Sequence, residues 1–571
     1  MHNKDKNTAD SHEPRELIES HGSSGDEHAE ILEESTQLAW SPSTHEILIM
    51  VVLSLLSLMV SLDASVIMTT LQAIVVDLGS DATQGFWIGT AYLLANAVMM
   101  PVIAGISEIF GRTLCLMSSL VLFAVGTILC CITHDIAIML AGRSLQGIGG
   151  GGIVVLALVI FTDIVPLRFR PKWYGAVLGA WALGTCIGPP IGGAIAQHTT
   201  WGWVFYMMFP LLSLGLVLVP LLLTLKPPTA SFRTKLLELD WIGGFLFTAS
   251  MTSFLIAVSW GGTQFAWGAV QTILPLVLGI CGLIVAVVYE GWWARKPMLS
   301  PALFRDLSST TTYLCGSSQG LLLFGCFYYV SWFFIAVKQF SPLNAGISIL
   351  PAGFSTVPGA IVSGAIVTRT GRYRWAIWAG WVVSTIGLGV LTTWDRDTTT
   401  AVWATTMVIV GLGQGVVLNA QNFAAQAQCK PGDEGAAAAM YGFVRQLGAA
   451  LGVGIGGSIF QNVMALKLGW EGLDTAIAKN AEGYIVFIHA LPDGDPFKTK
   501  AMDAYVFGFR GVFWAYLALS GACFLLSLTI RHHDMNRDVT TVHTLKESKI
   551  KRLSRRDPLE QAQARETHEL V

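Results

Sequence analysis

Residues 173–196 read WYGAVLGAWALGTCIGPPIGGAIA, a stretch without a single charge. As a helix it would run about 36 Å at about 1.5 Å per residue, enough to cross a hydrocarbon core of roughly 30 Å. Ala176, Ala180, Gly184, Gly188 and Gly192 recur at every fourth position and so line one face. Small residues on one face let another helix backbone approach closely. Pro189 and Pro190 remove two backbone donors within the run and favour a kink. This spacing is equally that of plain helix packing and of a close, bent interface that rocks.

The rest of the chain has the same character. Of 571 residues 53% are hydrophobic and only 13% charged, against the roughly 25% charged residues of soluble domains. The apolar residues fall into runs of about 20 separated by short polar breaks, as membrane spans do. Fourteen such runs can be counted, the last two near 437–464 and 508–530. The formal net charge of −3 gives no nucleic-acid reading, because the charges lie in loops and tails. The nine cysteines sit mostly inside apolar runs, without the paired spacing of a zinc site or a disulfide framework. Residues 1–45 are polar and acidic, lack a cleavable signal pattern, and read as a disordered tail.

Loop charge sets the expected orientation. Arg112, Arg168, Arg170, Lys172, Lys226, Arg233, Lys235, Arg295, Lys296, Arg305, Arg369, Arg372, Arg374 and Lys430 fall in one set of loops, whereas the opposite short loops hold Lys338 and Arg396. By the positive-inside rule both termini are cytosolic and the segment 467–507 faces outward. The basic residues Lys546, Lys549, Lys551, Arg552, Arg555 and Arg556 then belong to a cytosolic tail.

The chain also matches itself. AGISEIFGR at 104–112 corresponds to GAIVTRTGR at 364–372, Gln146-Gly147 to Gln414-Gly415, and glycines 184, 188 and 192 to 448, 452 and 456. The offsets are nearly constant, as expected of a transporter built from repeats. Spans 1–6 and 9–14 therefore read as two six-helix repeats with two helices inserted between them. The expected division is 46–225, a linker with the inserted pair at 226–308, 309–531, and a tail at 532–571.

Charges inside apolar runs are expensive and so are candidate functional groups. Arg143 in span 4 and Asp63 in span 1 are two such groups. A carboxyl whose distance from a guanidinium varies changes its proton affinity, so this pair could load and release a proton. Alternatively Asp63, about 24 Å along its helix at about 1.5 Å per residue, lies towards the outer end of its span, and Arg143 snorkels to an interface. Span 12 carries Gln414 and Gln421 on one face with Asn422 beside them, and span 9 carries Gln319, Phe327, Tyr328, Tyr329 and Trp332. Aromatic surface with a few polar handles suits an amphipathic ligand, and it is also ordinary membrane packing. Gly147, Gly149 and Gly152, like Gly452, Gly454 and Gly457, fit G-x-G-x-x-G, but each set lies within an apolar helix with no preceding strand. No phosphate-binding P-loop, hydrolytic triad, metal cluster or cofactor motif is present in the sequence, so neither an enzyme nor a cofactor is expected.

These motifs resemble those of the major facilitator superfamily. Gly184, Gly188, Pro189, Gly192 and Gly193 fit GxxxGPxxGG, which is similar to the superfamily's antiporter signature. The loop from Ala104 to Thr113 is similar to its general loop signature, with Glu108 for aspartate and Thr113 for a basic residue. The resemblance implies a conformational latch through Glu108, Gly111 and Arg112, with Gly371 and Arg372 as the repeat's counterpart. It also implies a proton-transfer role for Arg143, and a cavity lined by spans 1, 4, 9 and 12 with Gln146, Gln319, Tyr328, Trp332, Gln414, Gln421 and Asn422 as candidates. Trp87–Leu94, Ser259–Gly262 and Arg445–Gly448 add to the likeness. The nearest branch is the fourteen-span drug:proton antiporters, especially fungal multidrug and mycotoxin efflux pumps, although Gly202 stands where relatives often have arginine. The expected function is export of small amphipathic molecules in exchange for protons. The expected setting is a monomer in the plasma membrane, or alternatively a vacuolar or vesicular membrane. Alternatives are an importer of the same fold and a non-transporting receptor.

Overall fold

The protein is described by a computed structural model covering residues 41–80, 82–224, 232–262, 264–294, 297, 301–479, 481–492 and 494–536. The acidic tail up to residue 40 and the basic residues from Lys546 to Arg556 lie outside the described residues, as do Lys226, Arg295 and Lys296. By its contacts the chain divides after Ile47. The second unit holds all the spans except the opening turn of the first.

Fourteen helices among the described residues are long and apolar enough to cross a membrane. They are α1 Thr44–Asp77, α2 Ala82–Phe110, α3 Arg112–Ile132, α4 Ile136–Ile164 and α5 Arg170–His198. Next come α6, in two pieces Trp203–Tyr206 and Met208–Leu222, α7 Trp241–Trp260 and α8 Val270–Trp292. The chain continues with α9 Leu307–Ala336, α10 Pro342–Thr370, α11 Arg374–Leu391, α12 Thr400–Gln428, α13 Glu434–Trp470 and α14 Pro496–Ser527. Helices are the form that satisfies the backbone within each span, which a bilayer demands.

Helical structure fills much of the segment read as an outward loop at 467–507. α13 runs to Trp470, two short helices cover Ala476–Lys479 and Ala481–Ala490, and α14 starts at Pro496. Asp495 caps α14 by accepting from the Phe497 amide at 2.7 Å, with Pro496 pre-set for the first turn. Lys498, Lys500 and Asp503 lower the hydropathy of that first stretch, which hides it from a window sized to the bilayer. The helix is simply longer than the membrane is thick.

The internal symmetry seen in the sequence reappears in the packing. α2 and α3 pack on α4, and α3 on α6; eight helices later α10 and α11 pack on α12, and α11 on α14. Across the halves α5 packs along α10, and its counterpart α13 packs on α2. The inserted pair is peripheral. α7 rests on α2 and α13, while α8 buries a narrow stripe of Thr272, Gly279 and Ala286 and leaves Val270, Leu274, Leu278 and Ile284 exposed. The seven-residue spacing of that stripe is that of a shallow left-handed helix crossing.

The stretch 173–196 uses two faces. A Cβ on Gly184 would stand 2.6 Å from the Leu58 carbonyl oxygen, and one on Gly188 would stand 3.0 Å from Ser65 Cβ. Gly192 likewise abuts Val66 and Thr69. The four-residue stripe is thus the seat of α1 within one half. Ser65 donates to the Gly184 carbonyl at 3.2 Å and Thr69 to the Pro189 carbonyl at 2.9 Å, stitching α1 to the proline-interrupted turn. The contact between halves lies on the other face: Gly175 meets Ile361, Gly179 meets Val357, and Gly193 meets the Leu343 backbone at 3.1 Å, all on α10.

Candidate functional site

Asp63 and Arg143 meet in the middle of the first half. Arg143 Nη1 donates to Asp63 Oδ2 at 2.9 Å, and both side chains are buried, 1% and 0% exposed. Arg143 also donates to the Ile88 carbonyl at 3.1 Å and to Gln146 Oε1 at 2.8 Å. Gln146 turns its amide to Asp63 Oδ1 at 3.4 Å and to Thr127 Oγ1 at 2.9 Å. Tyr92 covers the guanidinium, with Cζ 4.3 Å from its ring centroid, and its hydroxyl donates to the Val60 carbonyl at 3.2 Å. Helices α1, α2, α3 and α4 thus converge on one charge pair whose polar atoms are satisfied, the condition for keeping ions out of water. Neither an exposed Asp63 nor a snorkelling Arg143 survives this geometry. Gln146, expected as a cavity residue, belongs to the charge network. Tyr92 and Thr127 escaped the sequence reading.

The other half repeats the design without charge. Gln319 donates to Gln414 Oε1 at 3.2 Å, and Gln414 donates to Ser384 Oγ at 3.2 Å, joining α9, α12 and α11. Gln421 is buried, and among the described residues neither of its amide atoms finds a hydrogen-bond partner. Trp332 is packed among Phe460, Phe509 and Tyr505, with ring centroids 4.4, 5.1 and 6.4 Å away. Tyr328 lies edge-on to Tyr329.

Between the halves lies a narrow cavity. Its apolar wall includes Val60, Met68, Leu93, Trp181 and Phe324; its polar groups are Ser61, Ser65, Tyr92, Asn96, Thr185 and Gln446. Helices α1, α2, α4, α5, α9 and α13 supply this lining. The expected candidates on α9 and α12 are not part of it. Tyr92 lines the cavity and its ring covers the Arg143 guanidinium, so the charge pair lies just behind that side chain.

The loop face that carries Arg112, Arg168 and Arg170 is held shut by hydrogen bonds between the halves. Arg168 donates to the Thr368 and Arg369 carbonyls at 3.0 and 3.2 Å, close to Gly371, which turns the chain at φ 67°. Arg170 donates to Gln426 Oε1 at 2.9 Å, Gln426 donates to Asn422 Oδ1 at 3.2 Å, and Asn419 donates to the Pro171 carbonyl at 3.0 Å. Asn422 is therefore part of this closure. Arg112 is buried and pairs with Asp163 at 3.2 Å and with Ser107 Oγ at 2.6 Å. Glu108 approaches it only to 4.0 Å and is half exposed. Gly111 makes the turn at φ 101°, a conformation L side chains rarely adopt. Arg372 is exposed.

Two six-helix repeats around a central cavity, with ion pairs buried inside one of them, define the architecture of a secondary membrane transporter. The chain belongs to the Major Facilitator Superfamily, whose family model matches residues 53–453. It is 36% identical over 504 residues to "MFS transporter L2" of Phoma sp., covering 87% of this chain and 84% of that protein. It is 32% identical over 510 residues to "Efflux pump FUS6" of Gibberella fujikuroi, covering 88% and 92%. In fold it is similar to the crystal structure of the human organic anion transporter MFSD10, with a TM-score of 0.54 at 14% identity, over 85% of this chain and all of that one.

Proposed function

We propose that this protein exports small amphipathic molecules across its membrane in exchange for protons, by alternating access around the central cavity. The observation that carries the proposal is the Asp63–Arg143 pair, sealed from solvent behind Tyr92, which lines the cavity. Protonating Asp63 cancels its charge and loosens its bond to Arg143, which keeps the Ile88 carbonyl and Gln146 as acceptors. α1 is then free to shift against α4, and because α1 is seated on the glycine stripe of α5, the shift carries to the helix that packs along the other half. Proton loading at Asp63 and opening of the cavity are linked through that contact.

Export rather than import is supported by relatives named as efflux pumps and by the likeness of Gly184–Gly193 to the antiporter signature. The substrate class follows from a lining of aromatic and aliphatic side chains with scattered hydroxyl and amide groups. The Arg112–Asp163 pair and the Arg168 and Arg170 bonds serve as the latch of the closed face. That face is the cytosolic one by its basic charge, so both ends of the chain are cytosolic. The working unit is a monomer of two repeats, 46–225 and 309–531, in the plasma membrane.

Purified protein in liposomes under an imposed pH gradient tests the reading. Gradient-dependent flux of amphipathic compounds that a proton ionophore abolishes is the expected result. Equal flux with and without the gradient would remove proton coupling.

A further inference from the structure

Arg445 lies within α13, with 6% of its surface exposed. Among the described residues no carboxylate pairs with it. Its guanidinium lies over the Trp181 ring, Cζ 4.7 Å from the centroid, and its Nη1 is buried without an acceptor. Tyr174 and Tyr441 are the nearby groups that feel its charge, and the Tyr441 hydroxyl is already donated to the Leu418 carbonyl at 3.3 Å. Arg143, equally buried, shows what a resident ion pair looks like here: a carboxylate at 2.9 Å and two further acceptors. A cation in a span without a counter-charge is unfavourable, and such residues mark substrate or ion pathways.

The position of Arg445 says what could supply the missing charge. Trp181, on which it stacks, forms a wall of the central cavity, and its chain neighbour Gln446 forms another part. Among the described residues the cavity lining contains no Asp, Glu, Lys or Arg, and Arg445 stands behind the Trp181 ring rather than in the lining itself. A ligand whose apolar body rests on Phe324 and Met68 and turns the Trp181 ring aside would put an acidic group beside the guanidinium, where no resident acid of the lining competes. Arginine's planar fork suits a carboxylate held by two parallel hydrogen bonds.

We propose that Arg445 is the recognition residue for an acidic group, and that the substrates of this transporter are amphipathic organic anions of the carboxylate class. The proposal rests on the cavity being the transport site, and binding and flux separate the two claims. The probes are 4-(1-pyrenyl)butyrate and its neutral counterpart 4-(1-pyrenyl)butanamide, titrated against detergent-purified full-length protein. Wild type should bind the acid at least about tenfold more tightly than the amide, a gap of the size one charge-assisted contact supplies. Arg445→Gln should erase that gap, and Arg445→Lys should restore part of it. Unliganded R445Q should melt no lower than wild type, because it loses an unpaired buried charge; a merely structural arginine would instead leave a weakened protein. No preference for the acid in wild type, a preference that survives in R445Q, or failure of both variants to fold overturns the proposal. Acid-selective binding without pH-driven flux leaves the anion site standing and overturns proton-driven export instead.

Discussion

The two halves hold polar chains at equivalent places, and these differ in charge. In the first half Thr127, Gln146, Asp63 and Arg143 link α3, α4 and α1 around an ion pair; in the second Ser384, Gln414 and Gln319 link α11, α12 and α9 through neutral groups. Gln146 and Gln414 are counterparts in the internal repeat, so the scaffold is shared and the ions are an addition to one copy. A neutral chain holds helices together at every pH, whereas a chain containing a carboxylate changes strength when that carboxylate takes a proton. On the proposed mechanism, motion linked to protons falls to the chain of the first half, and the neutral chain of the second gives support that does not vary with pH.

Asp63→Asn breaks the comparison most severely, because it makes both halves neutral at this position. Gradient-driven flux in liposomes should fall to the level of empty vesicles, while exchange of substrate across the membrane without a gradient persists. The lone Arg143 left behind should cost roughly 3–5 kcal/mol, some of it recovered because the Asn oxygen still accepts a hydrogen bond. Adding Arg143→Gln should raise the melting temperature again without restoring gradient-driven flux. Wild-type flux in Asp63→Asn would mean that the charge difference between the halves has no part in coupling.

A second asymmetry lies at the basic face. Arg112 is buried against Asp163 at 3.2 Å, whereas its repeat counterpart Arg372 is exposed. Asp163→Asn should therefore destabilise the closed face by roughly 3–5 kcal/mol, the range for breaking a buried pair. Labelling of a cysteine introduced at Ala439, buried on α13, by a membrane-impermeant reagent from the basic side should speed up. Arg372→Ala should leave that rate alone. Equal responses to the two changes would show that burial of the Arg112–Asp163 pair does not set the two loops apart.

Gln414→Leu probes the neutral chain. It strips Gln319 of an acceptor and Ser384 of a donor in a buried setting, with an expected cost of about 1–3 kcal/mol. Melting temperature should drop while the pH dependence of flux keeps its midpoint. A moved midpoint would give the second half a share in proton handling.

How much of this could be read in advance follows from what each residue depends on. The spans, the repeat and the Asp63–Arg143 pairing were legible because a charge within an apolar run has few ways to be satisfied. Asp163 escaped because it sits in the last turn of α4, at the edge of the apolar run. The available signal was electrostatic: a carboxylate at a helix C-terminus opposes the dipole and calls for a cation, and Arg112 was that cation. Tyr92 and Thr127 gave no such signal, since a tyrosine or threonine in a span can satisfy itself on nearby backbone carbonyls. Trp332 is ambiguous for a different reason: its aromatic character fits a ligand wall and a packed cluster equally well, and in the structure it packs against Phe460 and Phe509.

Glu108 gives the smallest and sharpest test, because the likeness of the loop 104–113 to the superfamily signature pointed to it as the partner of Arg112. Its side chain is 54% exposed and 4.0 Å from the guanidinium, while Asp163 is 6% exposed at 3.2 Å. An exposed ion pair contributes on the order of 0–1 kcal/mol and fades in salt, whereas a buried one depends little on ionic strength. Glu108→Gln should thus shift stability by no more than about 0.5 kcal/mol at low salt and by nothing measurable at high salt. Thermal melts at the two salt concentrations, run beside Asp163→Asn, read the difference directly. If Glu108→Gln proves the more damaging of the two, the loop's own carboxylate is the latch and the basic face is held as the signature alone would have it.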